Sequence, residues 1–151
     1  MMNLPLPAFP LALARPLGLL PVDLHSRVLA LICNQVLRVP LREGECDFLQ
    51  GRTLEIHVQD LGIRCRVRLA AGMLRASRAK ADVLIEGKCG DLLLLASQQE
   101  DPDSLFFSRR LRLQGDTELG LHLKNFLDAQ ETPPPLRHLL ERLSRAIPPS
   151  A

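Results

Sequence analysis

Residues 53–69 read TLEIHVQDLGIRCRVRL, and their alternation decides the fold class. Leu54, Ile56 and Val58 alternate with Glu55, His57 and Gln59. After the turn at Leu61-Gly62, Ile63, Cys65, Val67 and Leu69 alternate with Arg64, Arg66 and Arg68. A period of two marks a half-buried strand, because successive side chains leave opposite faces. Pairing the two runs as a hairpin with every apolar side chain on one face predicts a definite register. Glu55 faces Arg68, His57 faces Arg66 and Gln59 faces Arg64, all on the solvent side.

Working outward, residues 72–77 and 81–87 predict two further strands. The second holds the continuous run Val83-Leu84-Ile85, as expected where both faces are covered. Residues 111–114 predict a fifth. A helix capped by Asp23 is expected upstream, carrying Leu24, Val28, Leu31, Ile32 and Gln35 on one face and ending at Pro40. Phe48-Leu49 marks a short apolar element. Asp91 is expected to cap a helix over 92–99 that turns Leu92, Leu95 and Ala96 inward. Gly115-Asp116 turns into another helix, on which Leu119, Leu123, Phe126 and Leu127 fall at i, i+4, i+7 and i+8, with Gly120 permitting close approach. A stiff spacer at Thr132 and Pro133 to Pro135 precedes a closing helix. That helix has Leu136, Leu139, Leu140, Leu143 and Ile147 on one side and Arg137, His138, Arg142 and Arg145 on the other. The sum is α+β, a five-stranded, mostly antiparallel sheet covered by helices on one face. Residues 1–21 form a proline-punctuated arm, 22–131 the domain proper, and 132–151 the closing basic amphipathic segment.

The 151 residues suffice for one domain with a core of its own. Leucine occurs 33 times while aromatic residues are 3% of the chain, with no Trp or Tyr, so the interior is aliphatic. A net charge of +2 gives no global affinity for polyanions. The arm has an apolar run, but it lacks a basic leader and is broken by Pro5, Pro7, Pro10 and Pro16. Neither a signal peptide nor a membrane span is expected.

The search for chemistry comes back nearly empty. Cys33, Cys46, Cys65 and Cys89 contain no C-x-x-C pair, and His25, His57, His122 and His138 share no ligand spacing, so no metal site and no cofactor are expected. There is no G-x-S-x-G and no Gly-rich phosphate loop. Asp101-Pro102-Asp103 and Asp116 read as turn and cap residues in place of catalytic acids. Between Leu61 and Ala81 six cations stand with no acid, but without aromatic residues among them they offer no stacking platform for nucleic acid. Arg64, Arg66 and Arg68 therefore read as a solvated face or as a docking face for a partner. The closing helix could cover a ligand or rest on a membrane surface.

The LEIHV strand, the ADVLIEG strand ahead of a Leu-rich helix, and the block DPDSLFFSRRLRLQGDTELGLHLKN (residues 101–125) together resemble the sterol carrier protein 2 domain superfamily over about residues 28–129. Within it, the 101–125 block is most similar to the bacterial UbiT (YhbT) branch of accessory factors for oxygen-independent ubiquinone synthesis. The resemblance implies an apolar tunnel holding prenylated quinone precursors or phospholipid, no catalysis by the carrier itself, and UbiU–UbiV-type iron–sulfur proteins as the hydroxylating partners. Without a secretory signal the four cysteines read as reduced structural thiols in a cytoplasm, with a peripheral position at the inner membrane as the accompanying expectation. The candidate lining is Ile56, Val58, Val67, Leu92, Leu95, Phe106, Phe107, Leu111, Leu113, Leu119, Leu123, Phe126 and Leu127, with Arg109 or Arg110 as the headgroup contact. The alternatives are a scaffold that uses Arg64, Arg66 and Arg68 on the sheet, or a general phospholipid carrier. The terminal Pro-Ser-Ala lacks the peroxisomal ending of eukaryotic carriers, so a non-peroxisomal role is expected.

Overall fold

A computed structural model describes residues 22–147, so the expectations for residues 1–21 and for the last four residues lie outside the described part. In chain order the elements are α1 (Val22–Val36), α2 (Arg38–Arg42), a 3-10 turn (Asp47–Leu49), β1 (Thr53–Val58), β2 (Ile63–Ala70), β3 (Met73–Ala76) and β4 (Val83–Gly87). These are followed by α3 (Cys89–Ala96), α4 (Pro102–Phe107), β5 (Leu111–Gly115), α5 (Thr117–Ala129) and α6 (Pro134–Ala146). The five strands form one sheet in the order β3-β2-β1-β4-β5. Only β1 and β4 are parallel; the other three pairings are antiparallel. The expected class is therefore the observed one.

The hairpin is real, but its register sits two residues from the expected one. Thr53 faces Arg68, Glu55 faces Arg66 and His57 faces Arg64. The expected two-residue turn is a four-residue loop, because Gln59 and Asp60 are bound elsewhere. Gln59 N donates to Gly87 O at 2.9 Å, and Asp60 Oδ1 accepts from Cys89 N at 2.9 Å. Both partners belong to the β4–α3 junction. A shift of two preserves parity, so each side chain keeps its face. The shift sets Glu55 between Arg66 (Nε to Oε1 3.0 Å) and Arg64 (3.6 Å), which leaves Glu55 only 5% exposed.

Three helices also differ in detail. α1 ends at Val36, and Pro40 sits inside the short α2, where its missing N–H costs little in so short a segment. α3 begins at Cys89 rather than Leu92, since Asp60 supplies the cap from across the chain, and Asp91 lies fully buried in its first turn. The residues expected to share one face of α1 do share it, and that face looks outward. Leu24, Val28, Leu31 and Ile32 are exposed, while Ser26 and Ala30 are buried against β2 and β3.

Candidate functional site

The pairing places Leu54, Ile56 and Val58 of β1, Cys65, Val67 and Leu69 of β2, Val83 and Ile85 of β4, and Leu111 and Leu113 of β5 on one face of the sheet. α1 lies over β2 and β3; α5 lies over β5. α5 comes close because residue 120 has no side chain: a Cβ there would stand 2.7 Å from Leu113 Cδ2. Asp116 starts α5 by accepting from Leu119 N at 3.0 Å, and Gly115, at φ +105, could carry no side chain because its Cβ would meet Asp82 O at 2.3 Å. α4 is capped by Asp101, which accepts from Ser104 N at 2.9 Å. Both aspartates thus serve as the caps the sequence suggested.

Between sheet and helices lies an apolar layer with a firm part and a looser part. Val67, Val83, Ile85, Leu111, Leu119 and Leu123 are buried; Ile85 and Val83 join Leu119 and Leu123 in one cluster with Val67, Leu69 and Leu49. Leu54, Leu92, Phe106, Leu113, Phe126 and Leu127 pack against that cluster and are half-buried. Ile56 and Val58 occupy the sheet's central strand, yet they too are only half-buried, as are the four consecutive leucines of α3. Phe48 meets the Phe126 ring at 5.6 Å and the His122 ring at 5.9 Å between centroids. Two grooves, of about 340 and 310 Å³, lie along α1 and β3. One is lined by Asn34, Gln35, Arg38, Arg42 and Met73 and the other by Asp23, Arg27 and Arg78, with no residue of the expected lining in either.

The remaining expected site residues are placed as follows. Phe107 is 92% exposed, although its neighbour Phe106 turns inward, since consecutive helical residues point about 100° apart. Arg109 is exposed, with φ +63. Arg110 is held inside: its guanidinium meets Glu100, lies 3.9 Å from the buried Asp91, and donates from Nε to Ser108 Oγ at 3.3 Å. Arg64 and Arg66 flank Glu55, while Arg68 stands exposed directly across from Arg75.

Sequence reasoning missed the polar clasp that fixes α1. Asn34 Oδ1 accepts from Leu74 N at 2.8 Å and its Nδ2 donates to Leu74 O at 2.8 Å, so one side chain pairs with the edge strand as another strand would. Ser26 Oγ accepts from Arg66 N at 2.8 Å. The four thiols are pushed up to about 11, chiefly by burial, so they stay protonated and unreactive at neutral pH. Among the described residues no group of histidines, cysteines and carboxylates is placed to hold a metal ion, and no helix is long and apolar enough to cross a membrane.

Comparison with known proteins agrees with this architecture. The SCP-2 sterol transfer family matches residues 32–128. The ubiquinone biosynthesis accessory factor UbiT of Escherichia coli strain K12 is 41% identical over 139 residues, covering 89% of this chain and 80% of its own, and the protein of strain O157:H7 matches equally. Among solved structures, the UbiJ-SCP2 ubiquinone synthesis protein superposes with a TM-score of 0.58 at 20% identity, over 72% of this chain and 96% of that one, which speaks to the fold. The chain belongs to the SCP-2 sterol transfer family, in its UbiT branch.

Proposed function

We propose that this protein is a non-catalytic, lipid-binding accessory factor of ubiquinone biosynthesis that holds a prenylated quinone precursor, or a phospholipid, between the sheet and α3, α4 and α5. The observation that carries the reading is the 41% identity to the Escherichia coli accessory factor along 89% of the chain. Physical chemistry supports it. A polyprenyl tail in water costs about 0.8 kcal/mol per methylene-sized unit, so a soluble carrier has to bury it. The half-buried Ile56, Val58 and α3 leucines form the part of the layer least committed to its own packing. Aliphatic walls with few rings re-pack at low cost. The oxygen-independent branch of the pathway, UbiU–UbiV-type iron–sulfur partners and work at the cytoplasmic face of the inner membrane form the finer part of the same proposal.

Native mass spectrometry of gently purified protein is the test. A copurified isoprenoid quinone precursor or phospholipid is expected, and its loss in Val58→Asp with the fold retained places it in the layer. Protein that emerges empty and takes up neither lipid class from micelles overturns the reading.

A scaffold reading has one observation in its favour: Arg68 and Arg75 face each other, both exposed, with no carboxylate within ion-pair distance among the described residues. Like charges placed opposite each other are unfavourable unless an anionic group is received there. If Arg68→Glu with Arg75→Glu abolishes partner capture while lipid loading persists, the sheet face is the docking surface.

A further inference from the structure

Much of the solvent side of α1 is apolar. The inner face carries Ser26 and Ala30, both buried, with Leu29, Cys33 and Asn34 partly buried beside them. Leu24, Val28, Leu31 and Ile32 look outward at 47%, 49%, 64% and 48% exposure. At 3.6 residues per turn these four fall within an arc of about 100°, a continuous apolar stripe. The helix cannot roll to hide it. Turning the stripe inward would break both the Ser26 contact to Arg66 N and the double contact of Asn34 to Leu74. An apolar strip locked outward is the mark of a surface that something else covers.

The chain that enters α1 has the matching need. Residues 1–21, MMNLPLPAFPLALARPLGLLP, contain seven leucines, Phe9 and five prolines, and Arg15 is their single charged side chain. We propose that residues 4–20 dock along the outward face of α1, setting their leucines and Phe9 on Leu24, Val28, Leu31 and Ile32.

Tether, reach and chemistry carry this. The arm joins α1 within three residues of Leu24, and a link that short holds the two surfaces at a millimolar effective concentration. From Leu24 to Ile32 the helix rises about 12 Å, whereas residues 4–14 as extended proline-rich chain span roughly 34 Å. A reversal is needed between them, and Arg15-Pro16-Leu17-Gly18 has proline and glycine at the second and fourth positions that a type I turn favours. Pro5, Pro7 and Pro10 remove backbone donors that burial against an apolar stripe would otherwise orphan.

The competing occupants fit less well. A second copy of α1 would cover the stripe and leave the arm's own leucines in water. Helices that lie on a bilayer carry several Lys or Arg on the polar face. α1 has one, Arg27, while its Asp23 is paired with Arg78.

The full-length protein decides. Chymotrypsin cuts after Leu and Phe, and cleavage follows the population of the open arm. Cleavage within residues 1–20 is expected to be about tenfold faster in Val28→Glu with Leu31→Glu than in wild type, with the folded core cut no faster in either. Equal arm cleavage overturns the proposal. A second reading does not depend on the double variant. The chain has no Trp, so Phe9→Trp alone reports the arm. An indole shielded from acrylamide in dilute buffer supports docking, and one as accessible as in a free peptide overturns it. Shielding that appears only with phosphatidylglycerol vesicles overturns it in favour of a bilayer, and shielding that grows with protein concentration overturns it in favour of a second copy.

Discussion

α5 meets the sheet through Leu119 and Leu123, buried to 6% and 3% exposure, and through the bare backbone at Gly120. α1 covers the other half of the same face with Ser26, Ala30 and Asn34, two of which are hydrogen-bonded to strand backbone. One helix is held mainly by water exclusion, which is non-directional and proportional to area. The other adds directed bonds to an apolar contact in which Ala30, Leu29 and Cys33 meet the core. The difference separates two tasks. Directed bonds hold α1 in one orientation against an edge strand, so it can present an apolar surface outward without slipping. An aliphatic contact such as that of α5 tolerates small sliding, which suits a wall that has to give when a lipid enters.

Removing apolar mass from the α5 side gives the largest expected effect. Leu123→Ala leaves a cavity in the main cluster and should cost about 2–5 kcal/mol of unfolding free energy by urea titration. If the layer parts readily to accept an added quinone analogue, the analogue should restore more of that loss in Leu123→Ala than it adds to wild type. No such difference would argue that α5 is a rigid wall. Gly120→Val should come next, at about 1–3 kcal/mol, because its side chain must displace Leu113, whose Cδ2 already stands 2.7 Å from where a Cβ would be. A neutral result would mean that α5 rides loosely enough to lift away, and the contrast with α1 would sharpen.

What the sequence could and could not give follows the same division. Parity on β1 and β2 was legible, since alternation alone sets which side chains share a face. Register was not, because it depends on Gln59 and Asp60 reaching Gly87 and Cys89, residues 28 and 29 further along. The caps at Asp101 and Asp116 were legible from local chemistry. The orientation of α1 was not. Ser26, Ala30, Cys33 and Asn34 repeat at the same i, i+4, i+7, i+8 spacing as Leu24, Val28, Leu31 and Ile32. Periodicity shows both stripes and cannot say which faces inward. The apolar layer could be read as residues, but its state could not. Thirteen expected lining positions say nothing about whether the space between them is open, and Phe107 among them points to solvent.

On the α1 side the expected effects are smaller. Asn34→Ala removes both bonds to Leu74, but that strand lies at the sheet edge where water can replace them, so about 1 kcal/mol is expected. The more telling readout is association, because an unclasped edge strand is a template for pairing with another chain. Light scattering should show concentration-dependent growth in Asn34→Ala and none in Asn34→Asp, which can still accept from Leu74 N. If Asn34→Ala costs as much stability as Leu123→Ala, the two helices are held alike and the comparison fails.

The smallest effect concerns the thiol behind α1. Burial is the main cause that holds Cys33 up to about 11, with Cys65 and Cys46 adding to it. In the unfolded chain the same thiol ionises near 8.5. A group whose folded value is raised contributes stability in full below the unfolded value and loses it as pH climbs through the folded one. The protein should therefore lose stability between about pH 8.5 and 11, as the unfolded chain sheds protons that the fold retains. Cys46, Cys65 and Cys89, raised to about 11 in the same way, add to that loss in both proteins, so only the difference between wild type and a Cys33 variant reads this one thiol. Cys33→Val keeps the volume and removes the proton. Urea midpoints at pH 8 and pH 10.5 should fall further apart in wild type than in the variant. Equal separations would mean that α1 admits water to its inner face, and that its polar clasp holds the helix without sealing it.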